Sequence, residues 1–71
     1  MSNDTRTVCQ LPIGTPVMGR TGVRFTIEQI RWDKREVVIR YEDTGAQDNL
    51  HLEAPVYYDQ WRRTWRMGEE T

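Results

Sequence analysis

The stretch "VRFTIEQIRWDKREVVIRYEDTG", residues 23–45, decides the fold, because it has the pattern of two strands joined by a tight turn and followed by another. Apolar and polar residues alternate from Val23 to Glu28, which is the two-residue period of a strand with one buried face. The alternation fails before Ile30 and Trp32. One extra residue near Glu28–Gln29 would return both side chains to the core face. We therefore predict a long strand that contains a β-bulge.

The second half of the stretch predicts a partner strand between two turns. "DKR" forms the first turn, and "EVVIRYE" directs Val37, Ile39 and Tyr41 inward, with Val38 as an exception to the alternation. The second turn is "DTGAQD", in which Gly45 supplies the positive φ that a short hairpin loop requires. The two strands are therefore predicted to form an antiparallel hairpin.

The tetrapeptide Asp43-Thr44-Gly45-Ala46 resembles the active-site loop of retroviral-type aspartic proteases. That chemistry requires a partner aspartate sharing one proton, a glycine-rich flap and a later glycine segment. The residues after Ala46 carry neither glycine feature. We interpret the tetrapeptide as a turn, and predict that the protein is not an enzyme and has no catalytic residue.

The remaining sequence adds short strands and tails to this hairpin. Residues 1–10 are polar without a period, which predicts a flexible N-terminal tail. Prolines and glycines flank a short edge strand near Thr15–Met18. "NLHLE" predicts a third strand with Leu50 and Leu52 on one face. A single small domain over residues 11–67 follows.

The segment "PVYYDQWRRTWRM", about residues 55–67, has a different pattern, which predicts a C-terminal helix. Tyr57, Trp61 and Trp65 recur every four residues as one helical stripe, which we expect to form the core face. Pro55 suits the first turn of a helix and Gly68 its end, so residues 68–71 form a tail. The predicted fold class is mainly β: a small curled antiparallel sheet of three to four strands with one C-terminal helix.

The layout "GTPV…TGVRFTIEQIRWDKREVVIRYEDTG…NLHL" resembles an SH3-like small barrel of the Tudor or KOW type. Tyr41-Glu42-Asp43-Thr44-Gly45 is similar to the Tyr-x-Asp-x-Gly turn of Tudor domains. The resemblance implies an SH3-like barrel. It does not imply the reading of methylated side chains, because only Trp32 and Tyr41 could contribute to an aromatic cage. In style, the chain also resembles small proteins of phages and other mobile elements.

Composition limits the class of protein. The chain has 71 residues, a net charge of −1 and one cysteine, Cys9, so it can form no internal disulfide. His51 is the only histidine, and we predict neither a metal site nor a cofactor. No apolar run approaches the ~20 residues of a membrane span, which predicts a cytoplasmic protein without membrane contact. Small chains often gain stability by association, so a homodimer is expected as readily as a monomer.

Arginines beside aromatic residues predict the binding surface. The candidate residues at the C-terminal segment are Tyr58, Arg62, Arg63 and Arg66, and those at the first hairpin turn are Arg31, Lys34 and Arg35. Arginine and aromatic side chains dominate contacts between proteins. We therefore expect a non-enzymatic binding module that contacts another protein, as a phage-type accessory or regulatory factor. The alternative is nucleic-acid binding by the same arginines, although the net charge argues against a strongly basic binder.

Overall fold

A computed structural model describes residues 5–68 of the chain, and seven strands lie within this range. The strands are β1 (Thr5–Thr7), β2 (Pro16–Met18), β3 (Arg24–Arg31), β4 (Glu36–Tyr41), β5 (Gln47–His51), β6 (Pro55–Asp59) and β7 (Thr64–Met67). They form one sheet in the order β1-β6-β7-β2-β3-β4-β5. The β2–β7 pair is parallel and every other pair is antiparallel. The sheet is not closed, because β1 and β5 are its outer strands.

The β3–β4 hairpin is confirmed, including its bulge. Ile27 lies opposite Ile39, Gln29 lies opposite Val38, and the register shifts between Ile27 and Gln29. The extra residue returns Ile30 to the core face, where it packs against buried residues. It does not return Trp32, because that residue lies beyond the end of β3.

A turn is present where "DTGAQD" predicted one, but it ends earlier than expected, because Gln47 and Asp48 already belong to β5. The Tyr41 amide donates to the Ala46 carbonyl at 2.8 Å, and the Gly45 amide donates to the Tyr41 carbonyl at 2.9 Å. Gly45 has a φ of 74°, which is the left-handed conformation that glycine adopts without steric cost.

The prediction of a C-terminal helix is wrong, because residues 55–67 form the β6–β7 hairpin. Val56 pairs with Met67 and Tyr58 pairs with Trp65, so each strand alternates in the two-residue period of a sheet. The Asp59 carboxylate organises the turn between the strands. Its Oδ1 accepts hydrogen bonds from the backbone amides of Trp61 at 3.0 Å and Arg62 at 3.2 Å. A side chain that bonds its own backbone in this way favours a turn over a helix interior.

The predicted fold class is therefore corrected in four respects. The sheet has seven strands where three to four were expected, and it is mixed where an antiparallel sheet was expected. It is also open where an SH3-like barrel was expected, because β1 and β5 do not pair with each other. Among residues 5–68 the helical structure is limited to a 3-10 turn at Val8–Gln10. The chain is a small β-rich domain, and its resemblance to the Tudor or KOW type stays a prediction.

Residues 5–10, which the sequence analysis places in a tail, join the sheet and the core. Thr5–Thr7 pair with β6, and the Val8 amide donates to the Ala54 carbonyl at 2.9 Å. Val8 is fully buried, and this apolar side chain gives the segment a reason to be ordered. Residues 1–4 of the predicted N-terminal tail and residues 69–71 of the predicted C-terminal tail lie outside the described residues.

One face of the curled sheet supplies the core. The buried cluster consists of Val8, Leu11, Val17, Phe25, Ile27, Val37, Ile39 and Val56. Val38 points to the opposite face of β4 and is also buried, which explains its break in the alternation. Among the described residues no polar or charged residue is buried.

Candidate functional site

The β3–β4 and β6–β7 hairpins end in turns of the same form. Each turn has four residues, because Arg31 pairs with Glu36 and Asp59 pairs with Thr64. The last turn residue is an arginine in the left-handed conformation in both cases, with a φ of 55° at Arg35 and 52° at Arg63. This conformation costs roughly 1–2 kcal/mol for a residue other than glycine.

The register places both turns at the same end of the sheet. β7 runs parallel to β2, and β2 runs antiparallel to β3. The chain therefore enters β7 from the same end of the sheet toward which β3 runs. The loop that precedes β2 lies at this end too, since the Gly14 amide donates to the Ile27 carbonyl at 2.7 Å.

The large apolar side chains that are exposed within residues 5–68 all lie at this end. Ile13 is 57% exposed in the loop before β2, Trp32 is 65% exposed in the β3–β4 turn, and Trp61 is 94% exposed in the β6–β7 turn. An indole loses favourable burial when it is left in water, so nearly full exposure of Trp61 requires an explanation. We define the hairpin-tip surface as Ile13, Trp32, Lys34, Arg35, Trp61, Arg62 and Arg63.

Two of the predicted arginines are held by Asp59. The Arg62 Nη1 lies 3.0 Å from the Asp59 Oδ2, and the Arg66 Nη1 lies 3.5 Å from the same oxygen. The hydrogen bond from Arg62 is the main cause that holds the pKa of Asp59 below its usual value. Arg66 is half-buried on β7, and its ion pair with Asp59 places its guanidinium next to the β6–β7 turn.

The other predicted cations differ in how far they are engaged. Arg31 lies at the end of β3 with its Nη1 3.6 Å from the Glu36 Oε1. Lys34, Arg35 and Arg63 are exposed and form no ion pair with any residue between 5 and 68. The two predicted basic groups therefore share one end of the sheet, and three of their members have unengaged side chains there.

Tyr58 lies away from these cations. It is half-buried on the core side of β6, where its ring meets that of Trp65 edge to face at 5.4 Å. The Arg6 guanidinium lies over Trp65, 5.7 Å from the ring centroid. Tyr58 and Trp65 thus support the base of the hairpin, and Trp65 packs against the core as the aromatic stripe suggested.

The aromatic residue that sequence reasoning missed is Trp61. The helical interpretation placed it on the core face, whereas the hairpin places it at the tip. A signal was present in Asp59-Gln60, because an aspartate followed by polar residues between two β-prone segments favours a turn.

An apolar cavity of about 270 Å³ lies at the opposite end of the sheet. Side chains from β3, β4, β5 and β7 line it, together with the β2–β3 turn; the residues are Gly19, Arg20, Thr21, Val23, Phe25, Ile39, Tyr41, Leu50 and Met67. Its floor includes the edge-to-face pair of Phe25 and Tyr41, whose ring centroids are 6.2 Å apart. A shallower depression lined by Thr21, Tyr41 and Asp43 adjoins it.

The Tyr41 hydroxyl fixes the position of an acidic group near this cavity. It donates a hydrogen bond to the Asp48 Oδ2 at 3.0 Å. That bond, which favours the protonated phenol, is the main cause that raises the pKa of Tyr41. Asp43 is exposed in the adjoining turn, so two carboxylates lie close to the cavity and Arg20 lies within its lining.

The outer face of β3, β4 and β5 is polar. Glu28 accepts hydrogen bonds from Arg40 at 2.7 Å and from Gln47 at 2.8 Å, and the first of these mainly lowers the pKa of Glu28. His51 is exposed, and its Nδ1 accepts from the Glu53 amide at 3.1 Å. Over residues 5–68 the structure contains no group of three or more His, Cys, Asp or Glu side chains that could hold a metal ion.

Comparisons with protein-family models, with curated proteins and with solved structures give no match for this chain. In the part of the chain that the structure describes, no helix has the length and apolar character needed to cross a membrane.

Proposed function

We propose that the protein is a non-enzymatic binding module that contacts another protein through its hairpin-tip surface. The observation that carries the proposal is the 94% exposure of Trp61 beside Arg62 and Arg63. Tryptophan and arginine are the residues that most often dominate the energy of protein interfaces. A partner that covers the indole would gain binding free energy from the burial of its apolar surface.

The conformation of the two turns supports the same proposal. Arg35 and Arg63 occupy left-handed positions where glycine or asparagine would fit without strain. Strain of this kind is retained mainly at functional sites. At both positions the residue that takes the strain is also one that offers a free guanidinium to a partner.

The location of the surface also suits a binding module. Its residues lie on turns, while the core lies in the strands, so contacts at the tips can vary without cost to the fold. Acidic groups are the chemistry that would pair with Lys34, Arg35 and Arg63. The partner is therefore expected to present a carboxylate-bearing surface around an apolar depression.

Position-specific crosslinking tests the proposal. A photoreactive amino acid replaces Gln60, the exposed neighbour of Trp61, in one sample and Asn49 in a control, because Asn49 is exposed on the outer face of β5. We expect crosslinks to a foreign protein from position 60 and none to that protein from position 49. Equal crosslinking from both positions, or none from position 60, would contradict the proposal.

Nucleic acid is the second candidate, because both hairpin turns combine an exposed tryptophan with cations. Exposed indoles stack on unpaired bases, and arginines bind phosphate. Titration with single-stranded DNA and RNA at low and moderate salt tests this candidate. Each phosphate contact adds about 0.7 to the salt slope of a single strand, so Arg63→Gln should lower the slope by about that amount. Absence of binding at low salt excludes the candidate.

The role as a phage-type accessory or regulatory factor and the cytoplasmic location stay predictions. The absence of an activity, a cofactor or a membrane partner stays a prediction as well.

A further inference from the structure

The hairpin-tip surface and the apolar cavity lie at opposite ends of the same sheet. The β3–β4 turn and the β6–β7 turn are at one end, and the β2–β3 and β4–β5 turns are at the other. Trp61 is 94% exposed in the β6–β7 turn, so it does not occupy the cavity of its own chain.

The cavity has the size of one large side chain. Its volume of about 270 Å³ falls below the roughly 300–1,000 Å³ of sites for small molecules. Its lining is mostly apolar, with the aromatic pair of Phe25 and Tyr41 on one side. An indole would meet an aromatic edge there, which is a favourable arrangement for aromatic rings.

The charges beside the two features are complementary. Arg63 follows Trp61 in the β6–β7 turn and has no ion pair among the described residues. Asp43 lines the depression that adjoins the cavity, and Asp48 is held beside it by Tyr41. Arg20 in the cavity lining is the one cation there, and the carboxylates beside Tyr41 outnumber it.

We propose that a second copy of this chain is a partner, and that Trp61 of one copy enters the apolar cavity of the next. This inference rests on the proposed function, because it names a partner for the same hairpin-tip surface. The contact joins two different surfaces, so it is head-to-tail and forms a closed ring or an open chain of copies. It differs from a symmetric dimer, in which the hairpin tips of two copies would meet each other.

Sedimentation of the purified protein over a range of concentrations tests the association. We expect the wild type to self-associate, and Trp61→Ala to weaken the association at least about thirtyfold, as loss of a hot-spot residue does. Asn49→Ala is the control, since Asn49 is exposed on the outer face of β5 and belongs neither to the hairpin-tip surface nor to the cavity lining. The association of this variant should remain close to that of the wild type. A wild type that stays monomeric at every concentration overturns the inference.

Mixing two variants tests the head-to-tail geometry. Thr21→Arg combined with Asp43→Arg blocks the cavity entrance and reverses its charge, at two exposed positions that should not affect folding. This cavity variant and Trp61→Ala should each be monomeric alone. Their equimolar mixture should form a one-to-one dimer, because each supplies the surface that the other lacks. Wild-type association by the cavity variant, or no dimer in the mixture, overturns the inference.

The outcomes also separate this inference from the proposed function. If the wild type is monomeric while a probe at position 60 crosslinks to a foreign protein, the proposed self-association is wrong and the proposed binding module is supported. If position 60 crosslinks only to residues 19–23 or 41–50 of a second copy, the head-to-tail contact is supported and the foreign partner is not.

Discussion

The β3–β4 and β6–β7 hairpins share a turn geometry but differ in their bases. β3 and β4 contribute four of the eight core residues, whereas β6 and β7 contribute only Val56. Trp65 and Met67 are half-buried and pack against the core, and Tyr58 is half-buried against Trp65. The same turn geometry therefore ends two hairpins with different roles. The β3–β4 hairpin builds the core, whereas the β6–β7 hairpin mainly exposes the residues of its turn.

The largest effect is expected from a substitution in the base of the first hairpin. Ile39→Ala removes a fully buried side chain and should lower the free energy of unfolding by about 2–5 kcal/mol. A chain of this length has a total stability of only about 4–10 kcal/mol. Chemical denaturation monitored by tryptophan fluorescence provides the measurement.

Tyr58→Ala is the matched change in the second hairpin. Because Tyr58 is half-buried, its loss should cost less than that of Ile39, about 1–2 kcal/mol. If the two variants lose equal stability, the bases of the two hairpins do not differ in the way described.

Two tryptophans within the β6–β7 hairpin give the next largest contrast. Trp65→Ala should cost about 2–3 kcal/mol, because Trp65 packs against the core and against Tyr58. Trp61→Ala should change stability by less than about 0.5 kcal/mol, because its side chain is exposed. Thermal unfolding of both variants checks the contrast, and a clear loss in Trp61→Ala would mean that the indole supports the fold.

Replacing either arginine that has a left-handed backbone conformation should raise stability, by less than the losses above. Arg35→Gly and Arg63→Gly relieve strain of about 1–2 kcal/mol, and the greater freedom of glycine in the unfolded chain offsets about 0.5–1 kcal/mol of this. Each variant should therefore gain up to about 1 kcal/mol, measured by denaturation. Gly45→Ala is the control and should lose stability, since Gly45 has a φ of 74°. A loss in both arginine variants would show that these side chains stabilise their turns.

The smallest effect concerns the charge of Asp59. The pKa of Asp59 is lower in the folded protein than in the unfolded chain. The charged carboxylate therefore stabilises the fold above the ordinary aspartate pKa, and this stabilisation is lost as the pH falls through the pKa of the folded state. Asp59→Asn keeps an oxygen that can accept the turn hydrogen bonds but removes the charge. The variant should be less stable than the wild type near neutral pH, and the difference should shrink at about pH 2.

Asp33→Asn in the other turn is the control for this comparison. No hydrogen bond or ion pair between residues 5 and 68 involves the Asp33 side chain, so its substitution should leave stability unchanged at both pH values. A difference between Asp59→Asn and the wild type that persists at acidic pH would assign the effect to the turn hydrogen bonds.

The first hairpin could be predicted from sequence because its information is local. Residues 23–28 alternate throughout, residues 37–41 alternate except at Val38, and the bulge follows from the parity of Ile30. Gly45 marked the next turn. These features depend on residues that are neighbours along the chain.

The second hairpin and β1 could not be predicted in the same way, because their strands are short. The spacing of Tyr57, Trp61 and Trp65 fits a helical period, yet the three residues lie in a strand, a turn and a strand. Val8 is buried only because β6 lies beside it, which the local sequence cannot reveal. Of the candidate site, the cations at both turns were predicted and Trp61 was not, because its exposure depends on the turn.

The parallel pairing of β2 with β7 has a consequence for how the chain reaches its native state. Val17 and Trp65 are adjacent in the sheet but far apart along the chain, so their contact closes a long loop at a high cost in entropy. Contacts of this range slow folding. During synthesis the sheet cannot be completed until residues 64–67 have left the ribosome. Until then β2 and β6 each keep an unpaired edge, which a neighbouring nascent chain could join.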